Sequence, residues 1–220
     1  MVVRFLTVGL LVTVALFGST PNIWAQGVED VIDAQIGRFV VDLHGVIAPW
    51  GQNPELGIPR GFDPATQPDR GTGISAGAHV YLLRWRFVTF GLGASILYAS
   101  GSQRPGPNDP DPLVPALRQT FTALSPQLSL NFGRRNGWSY ISAGPGTSTL
   151  SLYNQDAPKP TQQSTRSFNY GGGARWFTGD HLAFALDLRF YNATPLFATE
   201  TEPVSPRTTT MILGIGASFK

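Results

Sequence analysis

The stretch HLAFALDLRFY, residues 181–191, decides how this chain is read. Successive side chains of a β-strand point to opposite faces, so Leu182, Phe184, Leu186, Leu188 and Phe190 share one face while Asp187, Arg189 and Tyr191 share the other. This is the two-residue period of a strand with two chemically different sides.

The same alternation recurs on both sides of it. In RFVVDLHGVI (38–47), Phe39, Val41, Leu43 and Ile47 oppose Arg38, Asp42 and His44. FVTFGLGASILY (87–98) sets Val88, Phe90, Leu92, Ala94, Ile96 and Tyr98 against Thr89, Gly91, Gly93 and Ser95. LSPQLSLNF (124–132) sets Leu124, Leu128, Leu130 and Phe132 against Gln127, Ser129 and Asn131, and TTTMILGIGASF (208–219) sets Met211, Leu213, Ile215, Ala217 and Phe219 against Thr210, Gly214, Gly216 and Ser218. Less regular strands are read at 74–83, 138–152 and 166–177. The total is about eight, the lower end of the range for bacterial membrane barrels.

The connectors alternate in length. Long, proline-bearing segments run through 48–73, 100–119, 153–165 and 192–207, and between them stand only the tight turns RWR (84–86), GRRNG (133–137) and TGD (178–180). Long loops on one rim and short turns on the other is the up-and-down pattern of outer-membrane barrels. Proline lacks the ladder donor, which keeps the long segments out of the sheet; Pro126 and Pro145 are exceptions, read as kinks.

Composition agrees. Only 14% of residues are charged, whereas Gly (25) and Pro (18) are abundant, which favours an all-β chain. The absence of cysteine excludes disulfide scaffolds and thiol chemistry. The formal charge of +2 includes Arg4, so the remainder is close to neutral and gives no electrostatic case for nucleic acid. At the start, Arg4 precedes an apolar run from Phe5 to Gly18, then turn formers and a small residue, the order of a secretory signal peptide. Residues 1–25 are therefore expected to be removed and residues 26–220 to form one domain.

Indole prefers a membrane–water interface. Trp85, Trp138 and Trp176 fall at the short turns, and Phe39 and Phe219 come to the same level if both ends of the barrel sheet lie there, so these five are expected to form an aromatic girdle.

YGGGARWFTGDHLAFALDLRFY (170–191) resembles the penultimate hairpin of the small outer-membrane β-barrel proteins of the OmpA/OmpX type, and MILGIGASFK resembles their final strand. The resemblance covers most of the chain by pattern and these two segments by motif. It implies that Gly214, Ala217 and Phe219 form the terminal signal read by the barrel-assembly machinery. Lys220 follows Phe219, where the family ordinarily ends on the aromatic residue. The family's peptidoglycan-binding domain is not expected beside the barrel in a sequence of this length.

An eight-stranded barrel has an interior that side chains fill. Arg38, Asp42, His44, Arg175, Asp187 and Arg189 are expected to point inward with Gln127, Asn131 and Asn169, and buried charges must pair. An Asp–Arg network centred on Asp187, Arg189, Asp42 and Arg175 is the expectation; a gated ion path through it is the functional alternative. His44 beside Asp42 has the makings of a dyad, but His44, His79 and His181 stand in no hydrolase motif, and no ligand cluster or phosphate-binding loop suggests a metal or another cofactor. The long loops mix both signs: Glu55, Arg60, Asp63, Asp69 and Arg70 in the first, Arg104, Asp109, Asp111 and Arg118 in the second.

These observations point to an antiparallel up-and-down transmembrane β-barrel in the outer membrane, in contact with outer-membrane lipid. Its expected role is structural or surface-interactive, without catalysis, with an extracellular ligand of the loops left unnamed. Two other readings stay open: a narrow pore or transport barrel, and a secreted lipocalin-like barrel whose apolar faces turn inward around a small apolar ligand. A lipid-modifying enzyme comes last.

Overall fold

The computed structural model describes residues 36–85, 87–104, 115–134, 137–158, 160, 164–198 and 203–220. The expected signal peptide, residues 1–25, lies outside them, as do Asp109 and Asp111.

Eight antiparallel strands close into a barrel in chain order: β1 (Phe39–Pro49), β2 (Arg70–Trp85), β3 (Val88–Gln103), β4 (Leu117–Arg134), β5 (Gly137–Asn154), β6 (Thr165–Phe177), β7 (Leu182–Ala193) and β8 (Thr208–Phe219). Closure is made by β1 on β8, where Asp42 faces Ser218 and His44 faces Gly216. Every strand has two neighbours, so the sheet has no exposed edge.

Strands β2 to β5 are longer than the sequence pattern suggests. Arg70 and Arg118, read as loop residues, belong to β2 and β4. About ten residues suffice for a tilted strand to cross the hydrocarbon core, and β4 and β5 have 18 each. Their surplus carries the wall beyond the apolar belt on the loop side, where side chains are small and hydroxylated and the alternation fades.

Two irregularities shape the wall. The β2–β3 register shifts between Tyr81 and Leu83, and Leu82 and Leu83 are both exposed, as a bulge that inserts one residue requires. Between β4 and β5 the ladder runs from Leu124↔Thr147 to Leu128↔Ala143 with no rungs between. Pro126 and Pro145 stand in that gap, so the two missing donors fall at one place instead of two. The Gly144 carbonyl inside the gap accepts from Asn169 Nδ2 at 2.7 Å.

The outer wall carries Leu43, Ile74, Ile96, Leu128, Ile141 and Ile215, each more than half exposed, while Asp42, His44, Gln127, Asn131, Asn169 and Arg175 are buried inside. The apolar faces thus point outward, opposite to a soluble barrel that wraps an apolar ligand. A continuous apolar exterior of this kind is matched by lipid and not by water. Charge on it should be costly: Ile96→Arg, at mid-strand in β3, is expected to cost about 2–4 kcal/mol, and Ile96→Val almost nothing. Urea unfolding of the protein in phospholipid bilayers measures both, and an unchanged midpoint for Ile96→Arg would place that wall outside lipid.

Candidate functional site

The chemistry of this molecule is concentrated in the lumen. Asp42 rises from β1 and Arg175 crosses from β6 to meet it: Nε donates to Oδ1 at 2.9 Å and Nη2 to Oδ2 at 2.7 Å. The two side chains are almost fully buried, at 1% and 6% exposure. Ser218 on β8 donates to the same Asp42 Oδ1 and accepts from Arg175 Nε at 3.2 Å. A second pair lies on β7, where Arg189 Nε donates to Asp187 Oδ2 at 2.9 Å and Nη2 to Oδ1 at 3.1 Å. Residues two apart on a strand share a face, and an Asp-x-Arg spacing builds this pair locally.

Tyr140 on β5 joins the two pairs. Its ring lies under the Arg175 guanidinium, 3.9 Å from Cζ to centroid, and its hydroxyl donates to Asp187 Oδ1. Around them, Asn131 Oδ1 accepts from Tyr81 and from Arg175 Nη1, and Asn169 Oδ1 accepts from Arg189 Nη1 and Gln127 Nε2. Gln127 also donates to Ser95 Oγ on β3 at 2.7 Å. All eight strands contribute a polar group, and two aspartates balance two arginines.

The histidines divide differently from the sequence expectation. His44 shares the lumen with Asp42, but the imidazole beside that carboxylate is His79 on β2, with Nδ1 3.7 Å from Oδ2 and Nε2 3.3 Å from Gln127 Oε1. Among the described residues His44 Nε2 has no hydrogen-bond partner. Glycines on the inner face make room for these rings: a Cβ on Gly93 would lie 2.3 Å from His79, and one on Gly173 would lie 2.7 Å from the Tyr140 hydroxyl.

Apolar plugs close the polar layer at both ends. At the turn end the Trp138 and Phe177 rings pack at a tilt with centroids 4.6 Å apart, Tyr81 meets Trp138 edge-on, and Ile36 and Ala183 complete the cluster. The Lys220 ammonium sits 4.1 Å from the Phe177 ring centroid, which gives the residue beyond the terminal aromatic a cation–π seat. At the loop end Trp50, Val46, Leu97, Phe121, Tyr191 and Ile212 fill the lumen. Gly71 gives way to the Trp50 ring, which would come within 2.3 Å of a Cβ there.

The first loop then folds over this plug. Asn53 caps the short helix α1 (Pro54–Gly57) by accepting from Leu56 N, and Gln67 bonds both Asn53 N and Asn53 O. Leu56, 1% exposed, packs on Leu117 and Leu152. Arg60 straps this loop to the last one by donating to the Val204 carbonyl at 3.2 Å and to Ser205 Oγ at 2.7 Å.

Two sequence assignments need correction. Trp138 is not on the outer girdle: it is buried in the lumen, because it shares parity with Tyr140 and Ser142 while Ile141 takes the lipid side. Arg38 is not in the interior network. The inward series of β1 starts at Val40, and Arg38, exposed one residue before the strand, keeps its guanidinium hydrated while its carbonyl accepts from Tyr81 N. Trp85, Trp176, Phe39 and Phe219 are exposed at the turn end of the outer wall. Of the terminal-strand residues, Gly214 faces the lumen between His44 and Asp187, and Phe219 faces out.

A closed eight-stranded barrel with an apolar exterior and a neutralised polar lumen defines the class: a small integral membrane β-barrel of the outer-membrane type. Neisserial surface protein A has this fold, with a TM-score of 0.52 and 10% sequence identity over 84% of this chain and 97% of its own. Ail, the attachment invasion locus protein of Yersinia pestis, aligns at a TM-score of 0.47 and 11% identity over 82% of this chain and 96% of its own. OprG from Pseudomonas aeruginosa aligns at 0.44 and 13% identity over 82% of this chain and 94% of its own. No family model and no curated protein sequence matches the chain.

The Arg175–Asp42 pair is testable by a double-mutant cycle. Removing one partner leaves a buried charge, so Arg175→Met is expected to cost about 3–5 kcal/mol. Asp42→Asn added to it should restore part of that loss. Urea unfolding in bilayers reads the coupling, and strictly additive effects would show that the two side chains do not act as a pair.

Proposed function

We propose that this protein is a non-conducting, non-catalytic outer-membrane barrel whose wall is a scaffold for its loop end. The observation that carries the reading is the closure of the lumen. The cavity beside Asp42, His44, His79 and Asp187 measures about 20 Å³, room for about one water molecule, and the apolar plugs lie on either side. An ion path requires a continuous wet column, and a catalytic base requires an accessible nucleophile; neither fits such packing.

The first loop, held by Gln67 and by the Arg60 strap, supports a surface-contact role, because it offers a preordered face instead of a mobile tether. Contact with an extracellular partner through the loops is the role proposed for this chain. Gly214, Ala217 and Phe219 are proposed as the signal for the barrel-assembly machinery, the partner during biogenesis, and residues 1–25 as the signal peptide.

Three measurements test the reading. Carbonate-washed outer membranes should retain the protein, and unboiled samples should migrate differently from boiled ones. Planar bilayers should show no resolved conductance steps; stepwise single-channel currents abolished by Asp187→Ala would replace the scaffold with a pore. N-terminal sequencing of the exported protein should begin near Gln26, and a start at Met1 would remove the signal-peptide assignment.

A further inference from the structure

The outer wall of β2, β3 and β4 changes character at its loop end. Below, Ile74, Ile96, Tyr98 and Leu124 are exposed apolar side chains. Above, the register sets Thr72 opposite Ser100 and Ser102 opposite Arg118. Continuing the β2–β3 register by two residues brings Arg70 level with Ser102, so Arg70, Ser102 and Arg118 form one outward rung. Arg104, one residue past the end of β3, lines the same groove.

With strands about 4.8 Å apart, the two flanking arginines have Cα atoms roughly 10 Å from each other. That spacing lets two guanidinium groups converge on one phosphate, the acceptor their fork geometry suits best. Arg118 is already oriented, its Nε donating to Ser100 Oγ at 3.1 Å. The three arginines and the hydroxyls of Thr72, Ser100 and Ser102 line an open groove of about 690 Å³. Among the described residues Asp69 is the one acidic side chain lining it, 3.9 Å from Arg70 and highly exposed, so three positive charges there face one negative.

We propose that this groove binds the phosphate of a net-anionic membrane lipid headgroup. The cations stand directly above the apolar belt, at the depth where a bilayer places its headgroups. A lipid held there by its own acyl chains is presented at high effective concentration, which a free anion is not. The inference rests on the membrane placement argued above.

Native mass spectrometry of the protein from mixed micelles of dioleoyl phosphatidic acid and dioleoyl phosphatidylcholine, in equal amounts, provides the test. The wild-type protein should retain phosphatidic acid in preference to phosphatidylcholine by about tenfold or more. The triple variant Arg70→Gln, Arg104→Gln, Arg118→Gln should retain the two equally. Arg104→Gln alone, placed beyond the end of β3 where folding does not depend on it, should lose part of the preference. Arg166→Gln, an exposed arginine on β6, should leave it intact. Equal retention by the wild type would overturn the proposal, as would an equal loss in Arg166→Gln, which would mean surface charge in general. Displacement of the lipid by equimolar inorganic phosphate would overturn the lipid assignment. Heat-modifiable mobility of the same samples separates these failures from a failure of the barrel itself, whose absence would overturn both.

Discussion

Arg175 reaches across the lumen from β6 and holds Asp42 on β1 through two of its nitrogens, with Ser218 from β8 closing the third side. β1 and β8 are the strands that close the barrel, and β6 lies two strands away from β8. A one-residue slip there would turn Asp42 into lipid and Leu43 into the lumen, since every side chain on the strand changes face. The pair therefore makes one register of β1 on β8 far better than its neighbours. Its contribution to net stability is a separate matter, because burying two charges costs much of what their attraction returns.

The remaining interior follows from that pair. A neutral ionic centre in a narrow cylinder must be kept from water, and the aromatic plug at the turn end and the Trp50 plug at the loop end do this. Tyr140 conveys the arrangement to the second pair by placing its face on Arg175 and its hydroxyl on Asp187. Large interior groups in turn need inner-wall glycines, and Gly71, Gly93 and Gly173 stand where Trp50, His79 and Tyr140 take the space.

Much of this was legible in the chain. The alternation in 181–191 placed Asp187, Arg189 and Tyr191 on the lumen side, and the alternating connector lengths fixed the up-and-down order. What escaped has identifiable physical causes. Trp138 was assigned from the interface preference of indole, although its parity with Tyr140 contradicted that; parity is a geometric constraint and interface preference a statistical one. Arg38 had the right parity but stands where the wall ends, and solvent there removes the constraint. The partnership of His79 with Asp42 depends on the tilt and stagger that closing a barrel imposes, and no single-strand pattern contains them. The loop cap depends on Gln67 reaching back to Asn53 across 14 residues, which leaves no periodic trace.

The paired prolines of β4 and β5 have a mechanical consequence. Over the interval from Leu124 to Leu128 the two strands are joined by no rung, and the Gly144 carbonyl is taken by Asn169 from the next strand. Along this line the wall can bend without stretching a rung, because there is none to stretch.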